Sequence, residues 1–114
     1  MSDCVFCLVA RGEIPANVVY EDDDIIAFDD IAPQAPVHTL VIPKKHYSTL
    51  SDDIPEEMLG KLLSAVNRVA KIKGVDEGGY RVIINNGADA AQTVPHVHAH
   101  VIGGCSMAHG MVSF

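Results

Sequence analysis

His96-Val97-His98-Ala99-His100-Val101-Ile102 is the stretch from which the rest of the chain is read. Imidazoles stand at every second position with apolar residues between them, and side chains on a β-strand alternate between its two faces. The spacing predicts a strand over residues 96–102, with His96, His98 and His100 on one face and Val97, Ala99 and Val101 on the other. Same-face neighbours are about 6.5–7 Å apart along such a strand, so three rings can converge on one metal ion or one small anion. A helix would scatter them.

Working outward, Tyr80–Asn85 reads as the preceding strand, and Asn85-Asn86-Gly87-Ala88-Asp89-Ala90-Ala91-Gln92-Thr93 as a loop of small residues whose backbone can approach a ligand. Gly103-Gly104 ends the pattern, and an irregular tail with Cys105 and His109 follows. Earlier in the chain, Ser51 to Gly74 carries apolar residues at helical spacing (Met58, Leu59, Leu62, Ala65, Val66, Val69, Ala70). Ser51, Asp52 and Asp53 offer caps, Pro55 a first turn, and Gly74 a stop, which predicts the main helix with one face on a sheet. His38–Pro43, Ile25–Phe28 and Val18–Tyr20 read as strands, and Glu21-Asp22-Asp23-Asp24 as a solvated hairpin turn that lacks the ligand pattern of an EF-hand. A short helix capped by Asp3 and stopped at Gly12 opens the chain. Short turns, one substantial helix and no regular βα alternation predict an α+β domain with a largely antiparallel sheet.

Composition narrows the function. With 114 residues, 48% of them hydrophobic, residues 1–114 are expected to form one domain. No apolar run approaches the ~20 residues that cross a bilayer, and Met1-Ser2-Asp3-Cys4 has no secretory character, so a cytoplasmic protein without a membrane partner is expected. A formal charge of −7 argues against nucleic acid as a partner, while neutral imidazoles and backbone N–H groups can still hold a small phosphate. Cys4, Cys7 and Cys105 make an odd number of thiols, which fits reduced cysteines or metal ligation better than disulfides. Cys4 and Cys7 form a Cys-x-x-Cys that is open to three readings: a metal half-site, a redox pair, or two small buried residues. The βαβ setting of a redox pair is missing, and a zinc site would need two more ligands, for which His46 and His96 are available.

The histidine stretch is likewise open to metal ligation, nucleophilic catalysis, or plain packing with hydrogen-bonded rings. Crowding matters to the choice. Neighbouring imidazoles cannot all be cationic cheaply, so at least one stays neutral and nucleophilic near pH 7.

The seven residues match the alternating histidine signature of the histidine triad superfamily. Further segments resemble its branch of small nucleotide-binding proteins: Ile14-Pro15-Ala16, Tyr20-Glu21-Asp22-Asp23, Asp30-Ile31, Pro33-Gln34-Ala35-Pro36, Leu40-Val41-Ile42-Pro43-Lys44-Lys45-His46, Gly79-Tyr80-Arg81 and Gly103-Gly104. The resemblance implies a five-stranded antiparallel sheet with one main helix and a short N-terminal helix, the sheet continuing across a homodimer. It also implies hydrolysis of purine nucleoside phosphoramidates and adenylates, in which His98 attacks the α-phosphorus and forms a nucleotidyl-histidine. The alternative is a nucleotide-binding regulator with incidental hydrolysis. By the same resemblance His100 contacts phosphate and leaving group, His38 supports it, and Thr93 assists the leaving group. Asp30 would accept the ribose hydroxyls, Phe28 and Ile31 flank the base, and Phe6 and Ile14 wall the pocket. Asn85, Ala91 and Gln92 would lie along the phosphate. Some bacterial members similar to this chain bind zinc through four residues that match Cys4, Cys7, His46 and His96, a closed structural set. Two departures stand out: the chain has no tryptophan near its end, and Ala90 and Ala91 stand where glycines are common.

Overall fold

The structure is a computed structural model that describes residues 4–108. Asp3, expected as a cap, and His109 of the tail lie outside the described residues. In chain order the elements are α1 (Val5–Ala10), β1 (Val18–Glu21), β2 (Ile25–Asp29), β3 (Val37–Pro43), α2 (Glu56–Ile72), β4 (Tyr80–Ile84), a short 3-10 turn (Ala88–Ala90) and β5 (Ala99–Gly103). The five strands form one sheet in the order β1-β2-β3-β5-β4, every neighbouring pair antiparallel. The architecture is α+β, as the sequence predicts.

Alternation along the strands assigns the two faces. Ile25, Ala27, Val41, Val97, Ala99 and Val101 pack with Leu62, Ala65, Val66, Val69 and Ala70 of α2. Ile26, Phe28, Leu40 and Ile42 point the other way and pack with Phe6 and Val9 of α1. His38, His96, His98 and His100 share the parity of this second face, so α2 supports the sheet from behind while α1 and the histidines occupy its front.

The acidic run is the turn of the first hairpin. Asp22 Oδ1 accepts the N–H groups of Asp24 and Ile25 at 2.9 and 2.8 Å, and the Tyr20 hydroxyl donates to Asp22 Oδ2 at 2.6 Å. Both helices end alike. Gly12 and Gly74 adopt φ +73°, Glu13 N–H reaches Leu8 O at 2.9 Å, and Val75 N–H reaches Ala70 O at 2.9 Å, the left-handed stop that glycine permits.

Most boundaries fall within one or two residues of the sequence expectation, and two differ by more. The main helix begins at Glu56, not Ser51, because the chain ahead of it makes its own turn: Asp52 Oδ2 accepts Ser48 N–H at 2.6 Å and Thr49 Oγ1 accepts Ser51 N–H at 3.0 Å. Pro55 stands at the cap position, its carbonyl accepting Met58 N–H at 2.9 Å, and Glu56 and Glu57 complement the helix dipole. The histidine strand begins at Ala99, with His96, Val97 and His98 ahead of it. Val41 and Ala99 are the last pair between β3 and β5. Beyond them Pro43 has no N–H to continue the ladder, and Val97 N–H turns to Tyr47 O at 2.7 Å. The alternation of faces continues through residues 96–98 without the ladder. Among the described residues no helix is long and apolar enough to cross a membrane.

Candidate functional site

Three elements bring the front-face chemistry together. β5 and the residues before it carry His96, His98 and His100; β3 carries His38 and leads to His46; α1 carries Phe6 and Cys7, with Cys4 at its cap. His96 is completely buried, and His38 and His98 nearly so. Buried polar groups are held by hydrogen bonds, and here those bonds decide which ring nitrogen carries the proton.

His98 Nδ1 lies 2.7 Å from the carbonyl oxygen of His96. A carbonyl only accepts, so Nδ1 carries a proton, and in the neutral ring the lone pair is on Nε2. The edge of the Phe6 ring stands against this imidazole, with centroids 5.1 Å apart and planes at 87°.

His96 is fixed in the opposite sense. Its Nε2 donates to Pro43 O at 2.8 Å, which leaves the Nδ1 lone pair facing Cys4 Sγ at 3.4 Å and Cys7 Sγ at 3.6 Å. His46 Nδ1 completes the group, 3.3 Å from Cys7 Sγ. One donor atom from each of Cys4, Cys7, His46 and His96 lies within 4.8 Å of all the others, a cluster able to hold a metal ion. Bonds of about 2.3 Å to sulfur and about 2.0–2.1 Å to nitrogen in a tetrahedron put sulfur and nitrogen about 3.6 Å apart, which these separations match. The carbonyl on Nε2 is the outer partner that a ligating histidine needs. Burial pushes the His96 imidazole down and the Cys7 thiol up from their ordinary values.

A second cluster, Asp30, His38 and His100, is equally compact. Its protons are arranged differently. Gln34 N–H donates to His38 Nδ1 at 3.0 Å, so the His38 proton sits on Nε2. That N–H points at His100 Nδ1, 2.8 Å away, with Asp30 Oδ2 at 3.4 Å. His100 therefore accepts at Nδ1 and offers its own N–H at Nε2. A metal bound at His38 Nε2 would strip that ring of both protons, so this group is a chain of proton donors and not a cation site. Burial, helped by His98 and His38 and opposed by Asp30, pushes His100 down to about 4.

The rings open into a cleft of about 310 Å³ whose lining includes Phe6, Ile14, Phe28, Asp30, Ile31, Thr93, His98 and His100. All eight are residues the sequence reading placed at a site, and the fully exposed Ile31 forms the rim. His38 lies behind His100. Asn85, Ala91 and Gln92 do not line the cleft. Gln92 is spent on the loop itself, accepting Gly87 N–H at 2.8 Å and donating to Ser48 O at 2.7 Å and Val94 O at 3.1 Å. Ala91 takes the left-handed conformation at φ +58°, where an L side chain costs about 1–2 kcal/mol. Val5, Val9, Leu40 and Val94 also line the cleft and were not singled out from sequence. Leu40 had a signal, the parity it shares with His38 on β3. The backbone of Gln34 and Pro43 had none.

Residues 11–107 match the family described as HIT domain. A protein of Synechococcus elongatus named as an uncharacterized HIT-like protein is 49% identical over 108 residues, covering 93% of this chain and 94% of its own. Among solved structures, a HIT family hydrolase from Clostridium thermocellum superposes with a TM-score of 0.93 at 40% identity, covering 98% of this chain and 99% of that one. The histidine triad nucleotide-binding protein from Candida albicans gives a TM-score of 0.82 at 34% identity, covering 98% of this chain and 86% of that one. By sequence, by fold and by the alternating histidines at its centre, the chain belongs to the HIT domain family.

Proposed function

We propose that this protein is a nucleotide-binding hydrolase that cleaves the P–N bond of purine nucleoside phosphoramidates and related adenylates. The observation that carries the reading is the pairing of opposite tautomers at the cleft: a lone pair on His98 Nε2 beside an N–H on His100 Nε2. A nucleophile and a proton donor are what displacement at phosphorus needs.

The base lies between the apolar side chains of Phe6, Phe28 and Ile31, and the ribose hydroxyls donate to the Asp30 carboxylate, a charge-assisted bond. His98 Nε2 attacks the α-phosphorus, the P–N bond breaks, and the nucleotide stays on His98. The anionic phosphate favours an added proton on the His38–His100 pair, and Asp30 offsets its charge. That proton passes through His100 to the departing nitrogen. Water then attacks phosphorus, releases the nucleoside monophosphate, and returns a proton to the pair. Thr93, on the rim, lies toward the leaving group.

Zinc is the metal that suits the Cys4, Cys7, His46 and His96 set, a closed site that staples α1 to the sheet and takes no part in the displacement. Residues 1–114 act as one domain, and two copies associate through β4. The β1 edge is broken by a bulge between Val18 and Tyr20, whereas β4 is a regular edge with Val82 exposed.

The test is incubation with adenosine and guanosine phosphoramidates while nucleoside monophosphate is followed. The expected result is turnover that falls by about a thousandfold or more in His98→Ala, with sedimentation at twice the chain mass. Absence of turnover, or turnover undiminished in His98→Ala, overturns the hydrolase. Tight AMP binding without turnover would favour the regulator instead.

A further inference from the structure

α1 is a poor helix by itself. It has six residues, no side-chain cap, no acidic residue in its first turn and no basic residue in its last. Isolated helices of this length do not hold in water. It is kept in place by two contacts on two sides. Cys4 and Cys7 meet His46 and His96, while Phe6 and Val9 pack on Ile26, Phe28, Leu40 and Ile42.

The same helix builds the nucleotide cleft. Val5, Phe6 and Val9 line it, and Phe6 alone touches three of the groups that shape it. Its ring centroid is 5.5 Å from Phe28, 5.1 Å from His98 and 6.0 Å from His96. A second connection runs through His96. Its ring turns Nδ1 to the two sulfurs, and its own carbonyl accepts the His98 proton. One residue thus belongs to both sites, and one short helix spans them.

We propose that metal and nucleotide bind cooperatively in this protein, with α1 as the coupling element and Cys4 and Cys7 as positioning residues of the nucleotide cleft. This rests on the nucleotide and zinc readings above. Loading the cluster fixes α1, which sets Phe6 against His98 before the base arrives, so the nucleotide need not order the helix itself. Because linkage is reciprocal, nucleotide must tighten the metal by the same factor that metal tightens nucleotide. Loss of the metal, or its displacement from the two thiols, would weaken nucleotide binding without touching any group that contacts phosphate.

The experiment is titration of AMP and GMP into zinc-loaded and chelator-treated full-length protein, with far-UV circular dichroism on both forms. Zinc removal should weaken nucleotide binding by about tenfold or more while the sheet signal persists. In competition with a chromophoric chelator, saturating nucleotide should tighten zinc by the same factor. Phe6→Ala should keep one zinc per chain and lose most of the coupling, leaving only the smaller part carried through His96. Failure of nucleotide to bind the zinc-loaded protein would sink the nucleotide reading itself. Equal affinity in both forms would sink only the coupling. Collapse of the sheet signal on chelation, or coupling undiminished in Phe6→Ala, would overturn the route through α1.

Discussion

Two clusters on the front face each gather a pair of histidines, His46 with His96 and His38 with His100, yet they are prepared for opposite chemistry. At Cys4, Cys7, His46 and His96, the Pro43 carbonyl takes the His96 proton and leaves a lone pair facing two sulfurs. At Asp30, His38 and His100, the Gln34 N–H takes a lone pair of His38 and leaves a proton facing the next ring. One cluster offers electron pairs to a cation. The other offers protons to an anion. Two thiols in one and a carboxylate in the other suit those roles, and a single backbone group on one buried ring of each cluster sets where the proton sits.

The division can be broken most forcefully at His96. His96→Ala removes a ligand, opens a cavity in a fully buried position and leaves the Pro43 carbonyl without its donor. It should lose its zinc, read by metal analysis after gel filtration, and about 3 kcal/mol of stability, which lowers Tm by about 10–20 °C. A full equivalent of retained zinc would dissolve the distinction. His38→Asn attacks the other cluster. It should leave zinc content unchanged and lower turnover by about a hundredfold, the scale of a lost proton donor. If His38→Asn releases zinc, the two clusters are not separate.

What the sequence carried was parity. Alternation over residues 96–102 separates His96, His98 and His100 from Val97, Ala99 and Val101, and the structure extends the same alternation to β2 and β3, which brings His38 to the front. Capping chemistry was less dependable. Ser51, Asp52 and Asp53 look like helix caps, but Asp52 closes the turn before the helix, because a short polar side chain serves either purpose. The strand start is hidden in sequence for a related reason, since the effect of Pro43 depends on which strand lies beside it. Gln92 looks like a ligand contact in sequence and is a brace in three dimensions. The tautomers were least accessible of all. Any residue at position 34 other than proline supplies the same N–H, so no side chain advertises it.

The smallest effect is also the one that weighs the two clusters on a common scale, proton exchange. His100 is held down to about 4 by burial and by His98 and His38, with Asp30 opposing, whereas a free imidazole in the unfolded chain titrates near 6.5. Between those values the unfolded state binds the proton and the folded state does not, so stability falls as pH is lowered from 6.5 toward 4 and gains nothing from this group above 7. His100→Gln should flatten part of that slope in urea titrations at pH 7 and pH 4.5, and an unchanged slope would mean His100 is not held neutral. Ligands then act in opposite senses. A bound phosphate favours the proton on the His38–His100 pair, so nucleotide binding at pH 5–6 should take protons up. Thiols must give protons up to bind a cation, so zinc loading should release them. Calorimetric heats measured in two buffers of different ionisation enthalpy read both signs, and equal signs would mean that the backbone groups at positions 34 and 43 do not divide the labour between these clusters.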